Sequence, residues 1–75
     1  MSSFKPKKLY KRLTYDSVPV RSIIDDNVLE LIKTDQIVLL IEKINDNFDC
    51  WSVLTENGIF GYIVLIQHYW EEVNE

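Results

Sequence analysis

The sequence contains no alanine, one cysteine, one histidine, two glycines and two prolines among its 75 residues. Because Cys50 is the only cysteine, an internal disulfide and a cysteine-based metal cluster are both excluded. Small secreted domains are usually stabilised by disulfides, so a single cysteine favours a reducing, cytoplasmic setting. Two glycines are also too few to build a phosphate-binding glycine loop.

Long apolar runs are missing as well. The longest one, from Ile37 to Ile41, is far too short to span a bilayer. The basic N-terminus is followed by no apolar run of the kind that a signal peptide needs. We therefore expect a cytoplasmic protein that has no membrane partner.

Charge is divided unevenly along the chain, although the formal net charge is only −4. Residues 1–12 hold five basic side chains and no acid, and residues 13–75 hold three basic side chains and all twelve acids. This division predicts a flexible basic arm over residues 1–8, which Pro6 interrupts, and a single acidic domain over residues 9–75. An acidic body opposes binding to the phosphate backbone of nucleic acids.

Short β-type runs separated by Asp and Asn clusters follow the arm. Ile37 to Ile44 is the strongest of them, rich in branched residues, and Asn57-Gly58 is a strong hairpin signal. Pro19 confines the run from Val18 to Arg21 to a sheet edge or a bulge. Residues 27–33 are also compatible with a short helix capped by an Asp, but their length favours a strand. The spacing predicts an all-β fold, a small barrel of five to six short antiparallel strands, and leaves open whether residues 9–15 belong to it.

Four segments carry a resemblance to a known family. Val18-Pro19-Val20-Arg21-Ser22 is similar to the opening strand of bacterial SH3-like (SH3b) domains, and residues 28–35 resemble the segment that follows it. Cys50-Trp51-Ser52-Val53-Leu54 resembles the Trp-containing strand of that family. Gly58-Ile59-Phe60-Gly61-Tyr62-Ile63 is similar to its Gly-containing hairpin, the most specific part of the match. The resemblance covers roughly fifty residues and implies an SH3-like barrel.

No constellation of catalytic or metal-binding residues stands out. His68 has no nucleophilic companion at a diagnostic spacing, and Cys50 lies within a predicted strand, where free cysteines are commonly buried. Residues 45–49 lack the glycine and the distal Glu of a calcium loop. We therefore expect a protein that is not an enzyme and that carries neither a cofactor nor a metal ion.

Aromatic side chains are the most informative candidates for binding. Trp and Tyr are favoured anchors at protein interfaces. The candidate partner-binding residues are Trp51, Tyr62, Tyr69, Trp70 and Tyr15. Either Val53 or Leu54 can fill the core. Trp51 joins Tyr62 on a binding face only if Leu54 points inward, because side chains alternate between the two faces of a strand.

These observations predict a small protein–protein interaction module. The lack of alanine beside nine isoleucines is typical of AT-rich genomes, so we expect a bacteriophage accessory protein that binds and modulates a protein of its bacterial host. The alternative is a nucleic-acid-binding protein that uses the basic arm. Its candidate residues are Lys5, Lys7, Lys8, Lys11, Arg12 and Tyr10.

Overall fold

A single curled sheet of seven antiparallel strands forms the protein in the computed structural model, which describes residues 4–45 and 48–73. The strands are β1 (Lys8–Arg12), β2 (Val18–Arg21), β3 (Val28–Ile32), β4 (Ile37–Asn45), β5 (Cys50–Thr55), β6 (Phe60–Val64) and β7 (Trp70–Glu72), with a 3₁₀ turn at Gln67–Tyr69. Their order across the sheet is β3-β2-β6-β5-β4-β1-β7.

The all-β class predicted from the sequence is confirmed, and the curled sheet is compatible with a small SH3-like barrel. Residues 28–32 form a strand, as expected, and they pair antiparallel with β2. The described residues contain seven strands, more than the five to six expected, because β1 pairs with both β4 and β7.

Alternation of side chains across the pleated strands builds the core. On β4, Val38 and Leu40 point inward, and on β5 and β6 the same face presents Val53 and Ile63. The buried apolar residues are Phe4, Tyr10, Val20, Ile32, Val38, Leu40, Trp51, Val53, Ile63, Leu65 and Trp70. Val53 is fully buried and Leu54 is exposed, which settles the register of β5 that the sequence left open.

Two glycines shape the region around β6. Gly58 has a φ of +80° and its N–H donates to the Thr55 carbonyl at 3.0 Å, so the predicted Asn-Gly hairpin is confirmed. A Cβ on Gly61 would lie 2.5 Å from the carbonyl oxygen of Arg21. Gly61 therefore permits β2 and β6 to approach closely.

Pro19 lies on a strand that is only loosely joined to one of its neighbours. β2 pairs with β3 along four residues, with an irregularity between Val20 and Arg21. Its pairing with β6 is limited to Arg21 opposite Tyr62. The missing N–H of Pro19 therefore removes no hydrogen bond to β6. The irregularity between Val20 and Arg21 agrees with the bulge that was one of the two predicted settings for this proline.

The segment before β1 lies against the barrel. Phe4 is buried with its ring 5.3 Å from that of Tyr10, and the Lys7 N–H donates to the Leu40 carbonyl at 2.7 Å. Residues 1–3 of the predicted arm lie outside the described residues. Lys5, Lys7 and Lys8 are exposed, so their charges face solvent.

Candidate functional site

A cleft lies between the loop at residues 22–27 and the adjoining ends of β4 and β5. Its volume is about 330 Å³. We call it the Tyr62 cleft. The residues that line it are Ile23, Asp26, Ile44, Asn45, Cys50 and Tyr62. A smaller hollow of about 120 Å³ lies on the other side of Tyr62, so this side chain separates two concave surfaces.

The loop that forms one wall is held by its own hydrogen bonds. The Ser22 N–H donates to the Asn27 carbonyl at 2.8 Å, and the Asp26 N–H donates to the Ser22 carbonyl at 3.0 Å. The Ser22 hydroxyl accepts from the Ile24 N–H, and the Asp25 carboxylate accepts from the Asn27 N–H. A wall fixed in this way loses little conformational entropy when a ligand binds.

Tyr62 is tied to the same loop. Its hydroxyl donates a hydrogen bond to the Asp26 carboxylate, and this bond, followed by burial, raises the pKa of the phenol above its usual value. The guanidinium of Arg21 donates to the Asp26 carbonyl at 3.0 Å. Asp26 adopts a φ of +64°, a left-handed conformation that Asp tolerates better than most residues. The tyrosine is therefore oriented before any ligand arrives.

Cys50 lies at the base of the cleft and is half-buried. Burial raises the pKa of its thiol, and the negative charge of Asp26 raises it further. A thiol with a raised pKa stays protonated at neutral pH and is a poor nucleophile. Cys50 therefore acts as a small apolar side chain in the wall of the cleft.

The rim of the cleft is apolar. Ile23 and Ile44 are both about half exposed, and Ile24 at the tip of the loop is 95% exposed. Aliphatic side chains that face solvent next to a fixed concavity mark an interaction site more often than scattered exposed residues do. Together with one carboxylate and one phenol, they can bind a mixed apolar and polar surface.

The structure separates Trp51 from Tyr62. In the ladder between β5 and β6, Trp51 lies opposite Ile63, whereas Tyr62 lies opposite Ser52. Because side chains alternate between the faces of a strand, Trp51 points into the core and is only 3% exposed. A binding face that holds both Trp51 and Tyr62 is therefore not formed.

Tyr69 and Trp70 lie at another place in the sheet. Three strands separate β7 from β6, and Trp70 is buried. The guanidinium of Arg12 lies 5.5 Å from the Tyr69 ring centre and 5.3 Å from that of Trp70. Tyr15, by contrast, is 96% exposed in the connection between β1 and β2. The five predicted aromatic residues thus do not form one patch.

Two of the residues proposed for nucleic-acid binding are buried. Tyr10 lies in the core, with its hydroxyl accepting a hydrogen bond from the Lys5 N–H. Arg12 is buried and pairs with Asp16 at 3.2 Å. Lys11 lies 3.8 Å from Glu71. The structure therefore leaves Lys5, Lys7 and Lys8 as the solvent-facing cations of that set, with no exposed aromatic ring among the six.

Sequence reasoning missed Ile23, Asp26 and Ile44 as site residues. The residue pair Ile23-Ile24 beside a turn signal was the available clue, because a loop between two strands rarely needs two adjacent aliphatic residues. The approach of this loop to the end of β4 is a tertiary feature. No local pattern in the sequence encodes it.

Within residues 4–45 and 48–73, no three His, Cys, Asp or Glu side chains are grouped so as to hold a metal ion. The same residues include no helix with the length and hydropathy to cross a membrane. Comparison of the chain with family models, with curated proteins and with solved structures gives no match.

Proposed function

We propose that this protein is a non-enzymatic interaction module that binds another protein through the Tyr62 cleft. The observation that carries the proposal is a concave surface with a hydrogen-bonded wall and exposed aliphatic residues on its rim. Such a surface buries apolar area on binding without first having to become ordered. The likeness of residues 18–69 to SH3b domains, which serve as small recognition units, points the same way.

Each residue of the cleft has a distinct part in this proposal. Ile23 and Ile44 supply apolar contact area, and Tyr62 supplies a fixed aromatic anchor. Asp26 orients Tyr62 and, with Asp25, presents negative charge to the partner. Charges near an interface affect the association rate and the choice of partner more than the final affinity.

We further propose that the partner is a protein of a bacterial host, because a small chain that lacks alanine and is rich in isoleucine is typical of AT-rich genomes, such as those of many bacteriophages and low-GC bacteria. Binding would then change the activity of the host protein by occupying its surface.

The proposal is tested by affinity capture from bacterial lysate, followed by binding measurements with each captured protein after purification. Ile23→Asp and Tyr62→Ala are expected to abolish or greatly weaken the interaction, because both remove apolar contact area within the cleft. Tyr15→Ala is the matched control, since it removes an exposed tyrosine that does not line the cleft. Circular dichroism and thermal unfolding establish that each variant is folded.

Two results would overturn the proposal. One is a partner whose affinity is unaffected by Ile23→Asp and Tyr62→Ala. The other is a partner that is lost on Tyr15→Ala alone, which would move the binding surface to the connection between β1 and β2. A nucleic acid that binds with a steep dependence on salt would instead favour the alternative function.

A further inference from the structure

Strand β3 is one edge of the sheet. It forms a ladder with β2 and with no other described strand. An edge strand presents backbone N–H and C=O groups that can pair with another extended chain. The question is which part of this edge is open and what it would accept.

Leu31 has its backbone polar groups on the open side. It lies directly opposite Pro19 in the ladder between β2 and β3. Directly opposed residues in an antiparallel pair either exchange two hydrogen bonds or exchange none. Because proline has no N–H to donate, this pair exchanges none, and the N–H and C=O of Leu31 point away from β2.

The side chains along this edge are apolar. Leu29 is 46% exposed, and Val28 and Leu31 are each 49% exposed. Natural edge strands are usually protected by lysine, by proline or by a covering segment. Here the exposed positions of the strand carry aliphatic residues, which are suited to packing against a neighbouring strand.

Glu30 places a fixed negative charge in the middle of the edge. Its carboxylate accepts hydrogen bonds from the Thr55 hydroxyl at 2.7 Å and from the Asn57 side-chain amide at 2.6 Å. It forms no ion pair with any described residue. A carboxylate has about four acceptor positions, so Glu30 can still accept a hydrogen bond from a cation.

Charge decides which kind of chain fits the edge. A second copy, paired so that Leu29 meets Leu31, would place Glu30 directly opposite its own copy, and like charges in that position are destabilising. The residues next to the strand include three acids, Asp25, Asp26 and Asp35, and one cation, Lys33. The edge therefore disfavours a second copy and favours a basic partner.

We propose that the β3 edge binds an extended segment of another protein in which a lysine or arginine stands between two apolar residues. The segment adds an antiparallel strand to the sheet. Its cation lies opposite Glu30, and its apolar residues lie opposite Leu29 and Leu31. None of the residues Val28–Ile32 lines the Tyr62 cleft, so the failure of one proposal leaves the other unaffected.

The test is an NMR titration of the isotope-labelled protein with two synthetic peptides, acetylated and amidated at their ends. One has the sequence Thr-Val-Lys-Val-Thr, and the other has glutamate in place of lysine. We expect saturable shifts of the Val28–Ile32 amides and slower hydrogen exchange at Leu31. The lysine peptide should bind about two- to five-fold more tightly than the glutamate peptide.

Two variants of Glu30 and one control complete the design. Glu30→Gln should remove the preference between the peptides, and Glu30→Lys should reverse it. Glu42→Lys makes the same change in charge at an exposed position on β4 and should preserve the preference. The protein spectrum of each variant verifies its fold independently of binding.

Three results would overturn the inference. The first is the absence of saturable shifts at Val28–Ile32 with millimolar lysine peptide. The second is equal affinity of the wild-type protein for the two peptides. The third is a set of shifts confined to the Tyr62 cleft, which would place the peptide at the other surface.

Discussion

Replacing Gly61 with alanine tests how tightly β2 and β6 are joined. The added Cβ would lie 2.5 Å from the Arg21 carbonyl oxygen and 2.7 Å from Cγ1 of Val20. A carbon and a carbonyl oxygen normally approach no closer than about 3.3 Å. One strand must therefore move by roughly 0.8 Å, and a backbone carbonyl cannot rotate out of the way as a flexible side chain can.

The expected loss of stability follows from the position of this contact, which lies between β2 and β6. Overpacking by one methyl group typically costs about 1–3 kcal/mol. The pairing of β2 with β6 is limited to Arg21 opposite Tyr62, so the same displacement weakens its hydrogen bonding by about 1 kcal/mol more. A domain of this length has a free energy of unfolding of only about 4–11 kcal/mol. The substitution therefore removes a large fraction of the total stability.

Urea unfolding followed by tryptophan fluorescence measures this effect. With a slope of about 1 kcal/mol per molar urea for a small domain, the midpoint should fall by roughly 2 M or more. Gly58→Ala is the control, since an added Cβ would meet no atom within 4 Å apart from its chain neighbours, and only the φ of +80° opposes alanine. It should cost about 1–2 kcal/mol. A Gly61→Ala midpoint equal to that of the wild-type protein would refute the close approach of the two strands.

Three further predictions concern the aromatic residues and their partners. Trp51→Ala should lower the free energy of unfolding by about 3–5 kcal/mol, because the indole is buried; a folded variant of wild-type stability would contradict that burial. Calorimetry should show that Arg12→Ala, which loses the contacts with Tyr69 and Trp70, lowers the free energy of unfolding by roughly 2 kcal/mol. Lys11→Ala should change that free energy little, since its ion pair is exposed. Ultraviolet titration should show Tyr62 ionising above the usual pKa, chiefly because of its bond to Asp26, and Asp26→Asn should lower that pKa. The folded protein favours the neutral form of the Tyr62 phenol. The stability that this preference contributes is therefore present below about pH 10 and is lost as the pH rises through the raised pKa. A titration curve for Asp26→Asn that equals the wild-type curve would refute the bond.

Local signals in the sequence were sufficient for the main hairpin and for the strongest strand. The Asn57-Gly58 turn was predictable because only a few residues adopt a positive φ at low cost, and Ile37 to Ile44 was predictable from its branched residues. The burial of Phe4 and Arg12 was not predictable. Both residues lie in a basic, polar context that is typical of solvent-exposed segments. Phe4 nevertheless joins the core cluster, and Arg12 lies over Tyr69 and Trp70, which are distant in the sequence.

The candidate site was only partly predictable. Tyr62 was identified from its aromatic character, but its neighbours in the cleft come from the loop at residues 22–27 and from the end of β4. Trp51 was expected on the same face as Tyr62. A register that differs by one residue reverses the face of every side chain on a strand, so composition alone could not decide between the core and the surface.

The all-β class, the position of the main hairpin and the separation of charge between a basic start and an acidic remainder follow from the amino-acid sequence alone. These properties depend on residues close together in the chain, through backbone conformation and side-chain alternation. The three-dimensional fold was needed to establish which aromatic residues face solvent, which loop closes the Tyr62 cleft and which strand forms an open edge. Those features depend on contacts between distant segments, and these contacts are fixed by how the curled sheet packs its single core.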